Sequence, residues 1–413
     1  MMIEKKFALQ LSLTAAALTL AGTALAADYK FTPSITVNEV YTDNIAEDKD
    51  RTLGDEFITR AIPGIAFTYT APFWTWDVGY KYEYRFYAKG KRDNEDLHNL
   101  KARTRWTLID EKAFLDISDE YSRVSLDQSR DRTQESLFAN QSDQNIVTVS
   151  PNFVLRPTSK LTLRPGAIYQ NIWYKDPTGV GRNIYSGYLN ADYEMTDKFS
   201  FISRYLFTLT DTQENISRTH DLQAGIKYEY FKDSFISIQG GNSWYMSSRQ
   251  SSSNPVWTVA INYAGDRYNI KASTSEKYSN DPTSNKLSLN TRYDLGFDWT
   301  FSKGKIGLAS GIIRLEDMPD NNLRSISYNN SVSIDYALFT DWQARLTYAF
   351  NYIDDKDLDT YTKVSLLSPG ISYSYSDTMK FRLNYRYLHM YSPENADDNK
   401  EVNSILFEIS KSF

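Results

Sequence analysis

Residues 74–86 read WTWDVGYKYEYRF, and every second position (Trp74, Trp76, Val78, Tyr80, Tyr82, Tyr84 and Phe86) is apolar or aromatic. Asp77, Lys81, Glu83 and Arg85 stand between them. Successive side chains of a strand point to opposite faces, so this segment carries one greasy face and one ionic face. A soluble sandwich also alternates, but seldom holds so strict a contrast over thirteen residues. A transmembrane barrel strand demands it, with aromatics toward lipid and charges toward a wet lumen.

The composition agrees. Aromatics make up 15% of the 413 residues, yet only 41% are hydrophobic and the mean hydropathy is −0.53. A chain rich in rings but polar on average suits strands that face two different solvents. After residue 26 no segment offers the roughly 20 continuous apolar residues that a membrane-crossing helix needs. Cys is absent, which removes disulfides and thiolate metal sites. A net charge of −6 argues against a generically basic nucleic-acid binder.

Residues 1–26 read as a cleaved signal peptide, with Lys5 and Lys6 as the basic region, an interrupted apolar run, and Ala24-Leu25-Ala26 as an A-x-A cleavage site. The expected mature domain is 27–413. Within it, two kinds of connector alternate. Short turns fall at 71–73, 110–112, 158–160, 196–198, 232–234, 265–266, 302–304, 340–341 and 376–378, most of them carrying Asp, Ser, Thr, Gly or Lys. Longer polar loops fall near 46–55, 88–95, 127–143, 176–181, 213–217, 249–253, 280–284, 319–323, 354–359 and 393–400. Nine turns alternating with ten loops define twenty strands, with 18 as the alternative count. The expected fold is all-β, a single antiparallel up-and-down transmembrane barrel. Bacterial barrels keep short turns on the periplasmic side, which puts both mature termini there, in the outer membrane of a Gram-negative cell. Glycines in 235–248 and 305–318 make those two segments ragged and predict bulges or bends.

Strand parity sorts the charges. Inward bases include Lys81, Arg85, Lys101, Arg103, Arg105, Arg156, Arg164, Arg204, Arg345, Arg382 and Arg386, and inward acids include Asp77, Glu83, Asp116, Glu120, Asp192, Asp294, Asp298 and Asp335. Arg103, Arg105, Arg156, Arg164, Arg204, Arg345 and Arg382 lie near the tight turns, so that half of the lumen is expected to be basic. Bases in a pore select anions. The competing reading is a structural ladder of lumenal ion pairs, and parity alone leaves both open.

Nothing in the sequence points to an enzyme. His98, His220 and His389 share the parity of lipid-facing residues and read as rim residues; a rim hydrolase would need a Ser partner at the same depth, and none is evident. The acidic loops at 47–50, 354–357 and 394–398 lack the spaced ligands and central Gly of a calcium loop, so no metal or cofactor is expected. The expected partners are outer-membrane lipid and lipopolysaccharide, with no nucleic acid.

The final strand, EVNSILFEISKSF, ends on Phe413 and resembles the signal recognised by the barrel assembly machinery, except that Lys411 stands where an apolar residue is usual. The first hairpin carries a second resemblance. ITVNEVYTDNI followed by DEFITRAIPGIAFTY is similar to the opening of the outer-membrane beta-barrel porin family of exopolysaccharide and PEP-CTERM export loci. The pattern lies on Glu39, Tyr41, Thr42, Asp43, Asn44, Asp55, Phe57, Ile58, Thr59, Pro63 and Gly64. The resemblance implies a conduit passing an exopolysaccharide or capsule chain to the surface, working with periplasmic polysaccharide-export components. Two alternatives stand beside it: a general or anion-preferring diffusion porin, and a structural sleeve around a partner such as a cytochrome conduit.

Overall fold

The computed structural model describes residues 27–128, 136, 141–212, 214–247, 250–284, 287–318, 320–394 and 399–413. The expected signal peptide, most of the loop at 127–143 and most of the acidic run at 394–398 lie outside the described residues. The strands are β1 (Asp28–Thr42), β2 (Glu56–Ala71), β3 (Trp74–Tyr87), β4 (Glu95–Ile109), β5 (Ala113–Ser125), β6 (Gln141–Phe153) and β7 (Leu155–Thr158). They continue with β8 (Leu161–Tyr174), β9 (Arg182–Thr196), β10 (Phe199–Thr212), β11 (Ile216–Phe231), β12 (Ser234–Ser247), β13 (Ser251–Ala264) and β14 (Tyr268–Asn280). The remainder are β15 (Leu287–Phe301), β16 (Gly304–Asp317), β17 (Asn322–Ala337), β18 (Trp342–Asp355), β19 (Thr360–Ser376), β20 (Met379–Tyr391) and β21 (Lys400–Ser412).

Each strand pairs antiparallel with its neighbour in sequence, and β21 closes on β1 through Ser34↔Ser412 to Thr42↔Ser404. β6 and β7 are two parts of one wall strand, since both pair with β8, so the closed wall has twenty strands. Pro151 and Pro165 lie in that stretch and supply no ladder donor. Closure is what makes the fold viable in hydrocarbon, because an open edge would leave backbone N–H and C=O groups unpaired.

Side chains divide as the alternation demands. On β3 the even positions run from Trp74 to Phe86 on the outer face, while Arg85 on the inner face is buried among its ion-pair partners. Near the short turns the outer face carries ring clusters: Trp74 lies 5.1 Å from Trp76 and 5.8 Å from Trp106, and Trp342 stacks 4.7 Å from Tyr373. At the long-loop end a second row runs Tyr328, Tyr352, Tyr361 and Tyr391, with centroids 5.7–6.3 Å apart. These are two girdles at headgroup depth, with Leu, Ile and Val between.

Both ragged segments have a structural cause. In β12, Gly241 lies against Leu222 of β11, whose carbonyl oxygen sits 1.7 Å from where a Cβ would stand. No other residue allows that approach; the β11–β12 register runs through it unbroken and shifts only at the other end, between Glu229 and Phe231. At the same level β13 leaves β14, their last pair being Trp257↔Glu276. Above it the β12–β13 hairpin laps over the outside of β14–β16. There Tyr245 joins Leu287, Leu289 and Met318 in a small apolar cluster, and Asn254 donates to Asn321 at 3.2 Å. Beside β16 the irregularity belongs to its partner: Leu315 faces Ser325 and Glu316 faces Leu323, so Arg324 of β17 is a bulge.

Leu295 sits half-way along β15 and is 55% exposed on the outer face. Leu295→Arg is expected to destabilise the barrel by about 2–4 kcal/mol. Urea titration of the protein refolded in vesicles, against wild type, measures this.

Candidate functional site

Because the strands place charges on the inner wall at fixed register, cross-strand neighbours decide what each one does. Around the short-turn half many of the bases meet an acid on a neighbouring strand. Arg105 grips Asp116 through Nε at 2.6 Å and Nη2 at 3.0 Å, and Asn152 adds a third donor to that carboxylate at 2.7 Å. Arg164 pairs with Asp192, Arg345 with Asp335, Lys101 with Glu120 at 3.1 Å, and Arg382 with Glu408 at 3.3 Å. Arg156 stands at the rim and meets Glu111 of the adjacent turn at 3.8 Å. Arg386 lies opposite Ser404.

Arg105, Arg156, Arg164, Arg345 and Arg382, five of the bases expected to make this half basic, are thus held in ion pairs. Among the described residues Lys81, Arg103 and Arg204 make no ion pair within 4.0 Å, nor do Lys30, Lys271 and Lys380, which stand opposite Thr68, Asn262 and Ser410. Arg103 faces Asp77 across β3–β4. It borders a cavity of about 560 Å³ lined also by Thr68, Thr70, Thr75, Thr148 and Ser150. That surface presents hydroxyls together with Arg103, Arg105, Asp77 and Asp116, a polar lining that matches polyhydroxylated solutes.

Toward the long loops the pairs join into a chain. Glu83 accepts from Arg60 at 2.8 Å and Arg85 at 2.6 Å; Glu95 lies 3.4 Å from Arg85 and 3.6 Å from Arg123; Arg123 reaches Asp143 at 3.1 Å. Arg60 and Arg123 were not legible as lumenal from sequence. Residues of both parities around Arg60 are apolar, and Arg123 sits at a strand end where the alternation fades.

The mouth at the long-loop end is narrowed from three sides. The start of the β5–β6 loop brings Gln128 across to the far wall, where its Nε2 donates to Asn280 O at 2.5 Å and its Oε1 accepts from Arg324 at 2.9 Å. The β14–β15 tip turns inward, and Arg324 holds its Asp281 carboxylate. Arg182, at the start of β9, donates to Asp281 O at 2.5 Å, and Val180 N donates to Pro282 O at 2.7 Å. Arg324 reaches in because the bulge turns it from the face its parity would give it. Behind this contact lies a cavity of about 980 Å³, bounded by Arg123, Gln128, Lys271, Arg292, Asn329 and Asn351. Asp281 feels burial, which raises its carboxyl, but hydrogen bonds from Arg324 and from the Thr283 amide and hydroxyl outweigh it and hold the carboxyl below its ordinary value.

The residues of the first-hairpin pattern lie at the closing seam rather than in the lumen. Asp43 accepts from Asn403 N and Nδ2, each at 2.8 Å, and Asn44 donates to Glu401 O at 3.2 Å and Asp48 O at 2.6 Å. Thr42 ends the β1–β21 ladder, Tyr41 packs 5.0 Å from Phe57, and Glu39 accepts from Thr59 at 2.7 Å. Pro63 interrupts the β2–β3 ladder, and Gly64 makes room for Ser34 and the Lys81 stem. These are fastening roles. The histidines sit among outer-face rings: His98 shares a hydrogen bond with Tyr80 at 2.8 Å, and His220 one with Tyr205 at 2.8 Å. His389 lies 4.0 Å from Glu401.

A model of the oligogalacturonate-specific porin family (KdgM) matches residues 115–254, about a third of the chain. The match leaves out the first hairpin, so the implied tie to polysaccharide-export loci gains no support from it. The fold is similar to the FrpB iron transporter of Neisseria meningitidis (F3-3 variant), with TM-score 0.51 and 8% identity over 94% of this chain and 82% of that one. OpdK of Pseudomonas aeruginosa, solved with vanillate, gives TM-score 0.44 and 9% identity over 93% and 98%. No curated protein matches the sequence. The likeness to FrpB shows the fold, a closed antiparallel outer-membrane barrel.

Two measurements follow from this geometry. Asn44→Ala removes the donors to Glu401 O and Asp48 O and should cost about 1–3 kcal/mol, read as an earlier loss of the folded band on heating in detergent. Since the folded Asp281 carboxyl lies below its unfolded value of about 3.9, its ion pair stabilises the mouth fully above that value and is lost as pH falls through the depressed one. Val180 amide exchange, corrected for intrinsic rate, should be flat above about pH 5 and accelerate only below about pH 4.

Proposed function

We propose that the protein is a passive diffusion channel of the outer membrane for small hydrophilic solutes, saccharides foremost, with a mild preference for anions. The observation that carries this reading is the polar lumen of the twenty-stranded wall, narrowed at one end to a loop-bounded mouth. Fixed charges that neutralise each other in pairs keep water in the lumen without trapping ions. Lys81, Arg103 and Arg204 tilt the balance toward anions. The local match to an oligogalacturonate-specific family supports sugars bearing carboxylates among the solutes. With the short turns in the periplasm, both mature termini are periplasmic and the narrowed mouth faces the outside.

This reading displaces export of a polysaccharide chain. The Gln128, Asp281 and Arg324 contacts reach across the mouth, and the family model matched within the chain is that of a porin and not of an export conduit.

Refolded protein in a planar bilayer is expected to give stable single-channel steps, and vesicles carrying it should swell with galacturonate and with neutral monosaccharides. Replacing Arg103 and Arg204 by Ser should lower the anion-to-cation permeability ratio, since a contact charge in water is worth about 1 kcal/mol. A demonstrably folded barrel that passes neither ions nor sugars would overturn the reading.

A further inference from the structure

We propose that the inward-turned β14–β15 tip is a releasable clasp at the mouth, locked by the Arg324–Asp281 ion pair and able to swing away from it. The proposal rests on the channel reading above. It is carried by the way the hairpin is held. The body of the hairpin is fixed: Leu287 and Leu289 are buried under Tyr245 and Met318. The tip is not fixed in that way. Among the described residues no buried apolar cluster includes Asp281, Pro282 or Thr283, and the turn is held across the lumen by polar contacts to Arg324, Arg182, the Val180 amide and, at Asn280 O, Gln128. Polar contacts beside open water exchange readily for hydrogen bonds to solvent, so their loss costs far less than unpacking an apolar cluster.

Each side of the lock also has somewhere to go. Arg324 stands between two carboxylates, Asp281 on the tip and Asp317 on its own wall at 3.4 Å, and its Nη2 is 3.2 Å from Ser288 Oγ. When the tip leaves, the guanidinium keeps an acid partner and a hydroxyl. Asp281 keeps the Thr283 amide and hydroxyl, each at 2.8 Å, which cap its own turn. Arg182 keeps Val180 O, to which it already donates at 3.1 and 3.2 Å. Neither arrangement therefore strands a buried charge, which is the condition for two states of similar energy. The β13–β14 ladder stops at Trp257↔Glu276, and beyond it the β12–β13 hairpin meets β14 through side chains, Tyr245 and Ser252 against Tyr278, below the tip that would swing.

The native chain contains no Cys, so an engineered pair reports on this contact alone. Val180→Cys with Pro282→Cys joins two residues already bonded main chain to main chain, a separation that suits a disulfide. In a planar bilayer the wild type should flicker between two conductance levels. The oxidised double variant should stay at the lower one, and reductant should restore the upper. Arg324→Gln should spend most of its time at the upper level and admit larger sugars in vesicle swelling. A double variant shown by mass to be fully disulfide-bonded, yet conducting identically before and after reduction, would sink the clasp while leaving the channel intact. If the reduced variant, Arg324→Gln and wild type were all silent though folded, the channel reading itself would fall.

Discussion

Everything in this molecule depends on the requirement that no backbone amide or carbonyl be left unpaired in hydrocarbon. A sheet meets it only by closing on itself, and closure fixes the rest. It forces a period-two chemistry on every strand, a wet face inward and a greasy one outward. It also concentrates special residues where the ends meet, and Asp43 and Asn44 lash the first loop to β21 beside the last ladder pairs. The first-hairpin pattern, read physically, is the hardware of that seam.

Inside, the wall faces a second constraint. A lumen of this size must be polar to stay filled, yet an unpaired charge every few residues would make a sticky ion exchanger. The sheet resolves this by register: Arg105 and Asp116, and Arg345 and Asp335, face one another across adjacent strands, and Arg164, opposite Asn190, reaches Asp192 on the diagonal. Such exposed pairs add little stability. Their effect is to leave a strongly hydrated surface in which much of the charge is matched locally, so that the unpaired bases carry disproportionate weight.

The sequence made the wall legible because alternation is a local signal. The strands, the turns at 71–73 through 376–378, and the inward parity of Lys101, Arg105 and Arg345 all follow from counting by twos. What parity does not give is register, and so the acids opposite those bases were visible individually but not as partners. Nor does it survive a bulge. Arg324 sits on the outward count of β17, and only the extra residue between Leu323 and Ser325 sends it inward. The meeting of Gln128, Arg182 and Asp281 joins strands far apart in the chain, a long-range contact for which no local pattern exists.

The seam has a consequence for assembly. Since β1 pairs with both β2 and β21, the first and last strands of the chain each keep one edge open until they meet. Until Asn403 reaches Asp43, the nascent sheet offers a free ladder at each side, the same template that drives promiscuous strand addition. The chain is thus most vulnerable just before completion, and a chaperone that shields those two edges would matter more to its yield than the strength of any one contact in the finished wall.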